Sequence, residues 1–359
     1  MPGPERTFPV PAPPSARASA RTSPPPSSAK ESTVSVVESP AAPSAPKTSD
    51  DARRRARRSL LHRLDTKASP YLFVAPFFLL FAVFGIFPLI WTGWMSLHSV
   101  STLAPGQMTW DGLGNYTMLG HDAVFWKSLR NTVTIGLISA VPQLLMAMGL
   151  AHLLNYRLRG RMFFRVALLA PYATSVAAAA LIFQFVFQQN DAGFANWFLH
   201  LFGFKAVAWE PGTWTSQLAV SAIVIWRWTG YNTLIYLAAM QAVPGELYEA
   251  AALDGAGRWR QFRNVTVPSL RPTILFTVII SAIGSLQLFG EPYLFGGSAQ
   301  GINGGSSNQY STLALYVYRL AFNSEHLGRA AAVAWVIFFI AVIVGGLNAL
   351  IARRLSRSA

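Results

Sequence analysis

Cysteine is missing from all 359 residues, so disulfides, thiol nucleophiles, iron–sulfur clusters and Cys-ligated zinc are excluded. Charge is scarce as well. Asp, Glu, Lys and Arg make up 12% of the chain and hydrophobic residues 52%, whereas charge takes about a quarter of an ordinary soluble domain. Acids are the rarer sign, 15 against 29 Lys and Arg, for a formal charge of +14. An excess of that sign can mark a nucleic-acid binder. Here the basic residues stand in short runs beside long apolar stretches, a membrane-topology pattern that predicts no nucleic-acid partner. The six histidines are scattered, with no H-E-x-x-H helix and no grouping at metal-ligand spacing, and no G-x-x-x-x-G-K-S/T run occurs. Nothing in the sequence brings Asp191, Glu210 and Glu291 together as a carboxylate pair. The expectation is a chain with no metal, no cofactor and no catalytic centre of its own.

What the chain does have is long apolar runs. Six stretches reach the roughly 20 residues that cross a bilayer as a helix: near 71–97, 131–154, 164–187, 217–241, 272–294 and 330–351. The fold class that follows is all-α, a polytopic membrane protein with about six transmembrane helices. Residues 1–65, rich in Pro, Ser and Ala, lack a periodic apolar pattern and are expected to be a disordered cytoplasmic tail. That tail ends in the run Arg53-Arg54-Arg55-Ala56-Arg57-Arg58. The apolar stretch after it, Tyr71 to Leu97, far exceeds the roughly 7–15 residues of a signal-peptide core, so it reads as the first anchor of a membrane domain over 66–355. Lys and Arg also cluster between the second and third spans (Arg157, Arg159, Arg161, Arg165), between the fourth and fifth (Arg258, Arg260, Arg263) and after the sixth (Arg353, Arg354, Arg357). By the positive-inside rule both termini and the loop over 242–271 are cytoplasmic. Trp91, Trp94, Trp126, Trp209, Trp214 and Trp335 lie near the opposite ends and read as an interfacial belt. Pro76, Pro88, Pro142, Pro171 and Pro272, inside or at the edges of spans, predict kinked helices.

The loop over 243–268 is the most informative segment. Pro244 followed by Glu246 and Glu249 favours a helix start, through the fixed φ of proline and the helix dipole. Gly255 and Gly257 permit a break, after which a second amphipathic piece carries Trp259, Phe262 and Val265 to Pro268. Helix, turn, helix is the local reading. Three consecutive alanines, Ala250 to Ala252, remove bulk where another surface could approach closely.

These residues resemble the EAA signature of bacterial ABC importer permeases. Glu249-Ala250-Ala251, Asp254-Gly255-Ala256, Phe262 and Val267-Pro268 meet its pattern with the right spacing. Downstream, Leu286-Gln287-Leu288-Phe289-Gly290-Glu291-Pro292-Tyr293-Leu294-Phe295 and the run from Thr312 to Phe322 are similar to the carbohydrate branch, which holds maltose-, lactose-, glycerol-phosphate- and cellobiose-type permeases. The resemblance covers roughly residues 70–355. It implies an ABC importer type I permease fold in a bacterial plasma membrane, importing a sugar such as a disaccharide or oligosaccharide. It also implies partners: a second, homologous permease, an ATP-binding subunit dimer that hydrolyses ATP, and an extracytoplasmic sugar-binding protein that meets loops near 99–130, 188–216 and 296–329. Membrane lipid surrounds the assembly. In the family the loop helix fits a groove on the ATPase, which assigns coupling to Glu249, Ala250, Ala251, Asp254, Gly255, Ala256, Phe262 and Pro268.

The same resemblance implies that the spans on either side of the loop line the sugar path. Arg227 and Tyr231 share a helix face at i, i+4, as do Ser281 and Ser285 on the next span, with Gln287 nearby. Their guanidinium, hydroxyl and amide groups suit a polyol. Serines and glutamines in spans also serve helix packing. Arg227 has two readings, a functional intramembrane charge with Glu291 as its possible partner, or a side chain that snorkels to the interface. The alternative function is an ion-coupled secondary transporter, which needs membrane-buried acids as carriers; the spans supply almost none.

Overall fold

The computed structural model describes residues 71–104, 106–156 and 160–357. The expected tail over 1–65 with its arginine run, and the basic residues Arg157 and Arg159, lie outside them. Among the described residues the regular structure is helical but for a two-stranded antiparallel ribbon, β1 (His98–Ser99) and β2 (Thr109–Trp110). Helix α1 (Tyr71–Ser96) enters the ribbon. Then come α2 (Gly114–His121), α3 (Ala123–Asn155), α4 (Arg161–Ala173), α5 (Val176–Val186), α6 (Phe194–Leu201) and α7 (Thr213–Gln241). The chain continues through α8 (Gly245–Leu253), α9 (Arg258–Ser269), α10 (Arg271–Leu286), α11 (Gly290–Phe295), α12 (Leu313–Tyr318) and α13 (Leu327–Arg357).

Among the described residues, α1, α3 and α13 are long and apolar enough to cross a membrane, and the bent pairs α4–α5 and α9–α10 raise the count to five if each is one span. The fourth expected stretch, near 217–241, is helix α7. Its 29 residues span about 44 Å at 1.5 Å per residue, ample for a bilayer, yet it is absent from that set. The reason is composition: α7 buries Gln217, Arg227, Asn232 and Thr233 against protein, not lipid. The proline expectations divide. Pro171 precedes a 93° bend between α4 and α5, and Pro272 opens α10 just after a 68° bend. Pro142, by contrast, sits inside the unbroken α3. The fifth expected span is interrupted, because α10 ends at Leu286 and helix resumes only at Gly290.

Helices α3 and α7 run parallel and in contact along their length, from the Asn131–Gln217 hydrogen bond (2.9 Å) at one end to Ala147, Ala151, Tyr236 and Met240 at the other. Helix α4 crosses α7 so closely that a Cβ on Gly230 would stand 1.6 Å from the Leu168 carbonyl oxygen. Only a glycine admits that backbone-to-backbone approach, the small-residue contact that lets helices meet in a membrane. Helix α10 rests on α3 and α13, and α13 packs against Phe87–Ser96, the part of α1 that leads to the ribbon.

Candidate functional site

Two regions converge on α7. The first is a cavity of about 410 Å³ walled by α3, α7, α10 and the break between α10 and α11. Of the residues expected to line a path, Tyr231, Ser281, Ser285 and Gln287 are on its wall. Arg227 is not. It is a buried residue, 9% exposed, one helical turn from Tyr231, and it donates from Nη1 to Glu291 Oε1 at 2.7 Å. Its Nη2 donates to the Thr174 carbonyl at 3.4 Å, at the bend between α4 and α5. The guanidinium therefore does not snorkel to an interface; it ties α7 to two helix breaks at once. Glu291 is 6% exposed and is itself part of the cavity wall. A buried acid held by an arginine is poorly placed to carry ions, since the pair would have to break first.

Sequence reasoning missed part of the wall. Gln143, Asn232, Trp228 and Phe289 line it too. Trp228 is the sequence neighbour of Arg227, and Gln143 follows Pro142 on α3, a span that does not flank the loop. Tyr172 stacks on Tyr231 at 4.7 Å and meets the Trp228 ring edge-on at 5.3 Å, so a three-ring cluster stiffens this side. The surface thus combines aromatic faces with amides, hydroxyls and one carboxylate, and among the described lining residues it has no Lys, Arg or His.

At the end of the bundle nearest Asn131 the chain is closed by a buried polar network. Asn131 Nδ2 donates to the carbonyls of Asn308 (2.9 Å) and Ser311 (3.1 Å), and Gln217 Nε2 donates to the Gln309 carbonyl at 2.9 Å. The Gln309 side chain in turn donates to the Glu210 carbonyl at 2.9 Å. Burial, with the Glu210 carboxylate beside it, pushes the Tyr310 hydroxyl above the ordinary tyrosine range.

The second region is the elbow at the opposite end. Helix α8 terminates as a Schellman motif: Gly255 N donates to the Ala252 carbonyl at 3.0 Å, Ala256 N donates to the Ala251 carbonyl at 2.9 Å, and Gly255 takes φ +77°. Glu249, Ala250, Asp254 and Gly255 are exposed, while Ala251 and Ala256 are half-buried. Leu253 is 90% exposed and Trp259 71%, so the apolar surface of the elbow is not covered by this chain. The elbow is nonetheless firmly held. Tyr248 and Thr266 share a hydrogen bond of 3.0 Å, Gln261 Nε2 donates to the Ala256 carbonyl at 3.1 Å, and the Arg258 guanidinium lies 5.3 Å over the Tyr156 ring. Phe262 is half-buried, 4.3 Å from the His152 ring of α3 and stacked on Trp259. Pro268 is half-buried in the last turn of α9.

The family of binding-protein-dependent transport system inner membrane components matches residues 133–357. The chain is 35% identical over 302 residues to the lactose transport system permease protein LacF of Rhizobium radiobacter, covering 83% of this chain and 98% of that protein. It is 34% identical over 279 residues to the arabinooligosaccharides transport system permease protein AraP of Halalkalibacterium halodurans, covering 77% of this chain and 85% of the relative. Its fold is similar to a chain of a bacterial ABC transporter that imports the acidic polysaccharide alginate, with TM-score 0.68 at 21% identity over 82% of this chain and 99% of that one.

Proposed function

The chain belongs to the family of binding-protein-dependent transport system inner membrane components, a multi-pass membrane protein and transporter subunit without catalysis of its own, and from that premise we propose that it is one permease of an ATP-driven sugar importer. The observation that carries this reading is the elbow: an apolar, alanine-lined helix that is rigidly braced to the bundle yet bare of any covering surface. A braced helix with an uncovered face suits a groove on a partner. The partner is a dimer of ATP-binding subunits in the cytoplasm, which places both chain termini on that side. Exposed Glu249, Ala250, Leu253 and Asp254 face the groove, with Ala251 and Ala256 at its edge, Gly255 makes the turn, and Phe262 and Pro268 transmit displacement into α3 and α10.

Tilting of the elbow would rock α7 and α10 against α3 and open the cavity to alternate sides of the membrane. A second permease completes the path, and a sugar-binding protein delivers cargo at the end nearest Asn131. Saccharides are the class favoured by the wall: Trp228 and Phe289 offer faces for sugar rings, and Tyr231, Asn232, Ser281, Ser285, Gln143 and Gln287 offer groups for hydroxyls. The lactose and arabinooligosaccharide permeases among its relatives agree with that class.

A cross-linker placed at Leu253 in membranes holding the co-expressed transporter tests the coupling. Capture of the ATP-binding subunit, weakened by Glu249→Lys, is the expected result. Absence of any nucleotide-hydrolysing subunit among the products, or labelling of Leu253 from outside the cell, sinks it.

A further inference from the structure

One wall of the cavity continues outward as a ladder of aromatic rings. Phe289, which lines the cavity, stacks on Tyr293 with centroids 5.3 Å apart and planes 14° from parallel. Tyr318 lies 5.0 Å from Phe289 and 5.6 Å from Tyr293, and Phe322 lies 5.0 Å beyond Tyr318. The first three rings are half-buried, and Phe322, at the far rung, is 66% exposed. The rungs come from two separate elements, α11 with the residue before it and α12 with the wide turn that follows it. Their alignment is thus a product of tertiary packing and not of one helix repeat. The ladder leads away from the elbow, along α11 and α12 and not toward α8.

We infer that Phe289, Tyr293, Tyr318 and Phe322 form a stacking track along which the rings of an incoming saccharide pass from the surface to the cavity. This rests on the reading of the chain as a sugar permease. The occupant follows from continuity and chemistry. The inner rung belongs to the cavity wall itself, so whatever stacks there meets the ladder next. A sugar ring has a C–H face that packs on the electron-rich face of an aromatic ring while its hydroxyls stay hydrated at the edge, and the phenols of Tyr293 and Tyr318 add a polar margin. Several rungs in succession hold more than one ring, which favours a saccharide chain over a monosaccharide.

The test uses the complete transporter in proteoliposomes, with this chain, its partner permease, the ATP-binding subunits and the sugar-binding protein. Labelled neutral saccharides, lactose and arabinotriose among them, serve as probes. Phe322→Leu and Tyr318→Leu keep apolar volume for lipid or a protein neighbour but remove the ring. Each is expected to raise KM for uptake roughly three- to tenfold with the maximal rate held, more strongly for the trisaccharide, and Phe322→Tyr is expected to restore it. Wild-type KM in both leucine variants of an active transporter overturns the track alone. Failure of the wild-type transporter to take up any of the saccharides overturns the sugar-permease reading and the track with it.

Discussion

The middle of α7 and the elbow just beyond it are separated by only a few helical turns, yet they are solved by opposite means. At Arg227 and Gly230 the main demands are met inside the chain: the charge has its carboxylate, with only the guanidinium Nε left without a hydrogen-bond partner, and the crossing helix has its gap. At Leu247, Leu253 and Trp259 the chain leaves large apolar side chains bare. In the membrane domain the bundle must be self-sufficient, because lipid offers no hydrogen bonds to rescue an unpaired group. The elbow follows the other rule. It is braced by its own hydrogen bonds, and its apolar side chains are left uncovered by this chain.

If the first region is as self-contained as its geometry indicates, it breaks hardest. Gly230→Leu drives a side chain into the Leu168 carbonyl and is expected to abolish a monodisperse, folded product, read by fluorescence-detected size exclusion of a tagged chain; an intact peak would mean that α4 does not cross there. Glu291→Ala leaves the Arg227 charge buried without its partner and is expected to cost about 3–5 kcal/mol. Thermal melting in detergent should show that loss, with the Arg227→Met/Glu291→Leu double variant recovering most of it. Equal melting of the single and double variants would contradict the pairing.

The elbow should respond differently, in coupling more than in stability. Gly255→Ala forces an L-residue into φ +77° at roughly 1–2 kcal/mol, small enough for the bundle to survive. Sugar-stimulated ATP hydrolysis is expected to fall severalfold while the melting temperature stays near wild type. Leu253→Ser removes an exposed side chain whose burial is worth roughly 1.5–3 kcal/mol. Co-purification of the ATP-binding subunit should weaken about tenfold or more, with no change in the melting of the isolated chain. Smallest is Tyr248→Phe, which deletes the bond to Thr266 at about 0.5–1.5 kcal/mol. A drop in coupling without loss of assembly is expected, and a silent variant would show that the brace is dispensable.

The elbow was the easier region to read. Its turn depends on local rules: Pro244 and acids at a helix start, Gly255 where a left-handed residue is needed, and alanines between them. The cavity was harder. The i, i+4 spacing of Ser281 and Ser285 and the placing of Tyr231 and Gln287 come from the helix period, and all four do share a wall. Gln143 and Asn232 carried no such sign, and the period alone could not tell whether Arg227 points to the cavity, the interface or a neighbouring helix. Helix α7 is legible as one of the six stretches, although its polar residues keep it out of the set of helices apolar enough to cross a membrane.

By itself the sequence determined what short-range physics can carry: a helical membrane chain, the positions of its apolar stretches, and a helix-turn-helix elbow with a glycine at its turn. Tertiary structure alone decided that Arg227 is spent on Glu291 and Thr174, that α4 passes over Gly230, and that four rings from two elements line up. Those outcomes depend on which helix faces which, and residues 64 positions apart, as Arg227 and Glu291 are, come into contact only through packing that no local periodicity encodes.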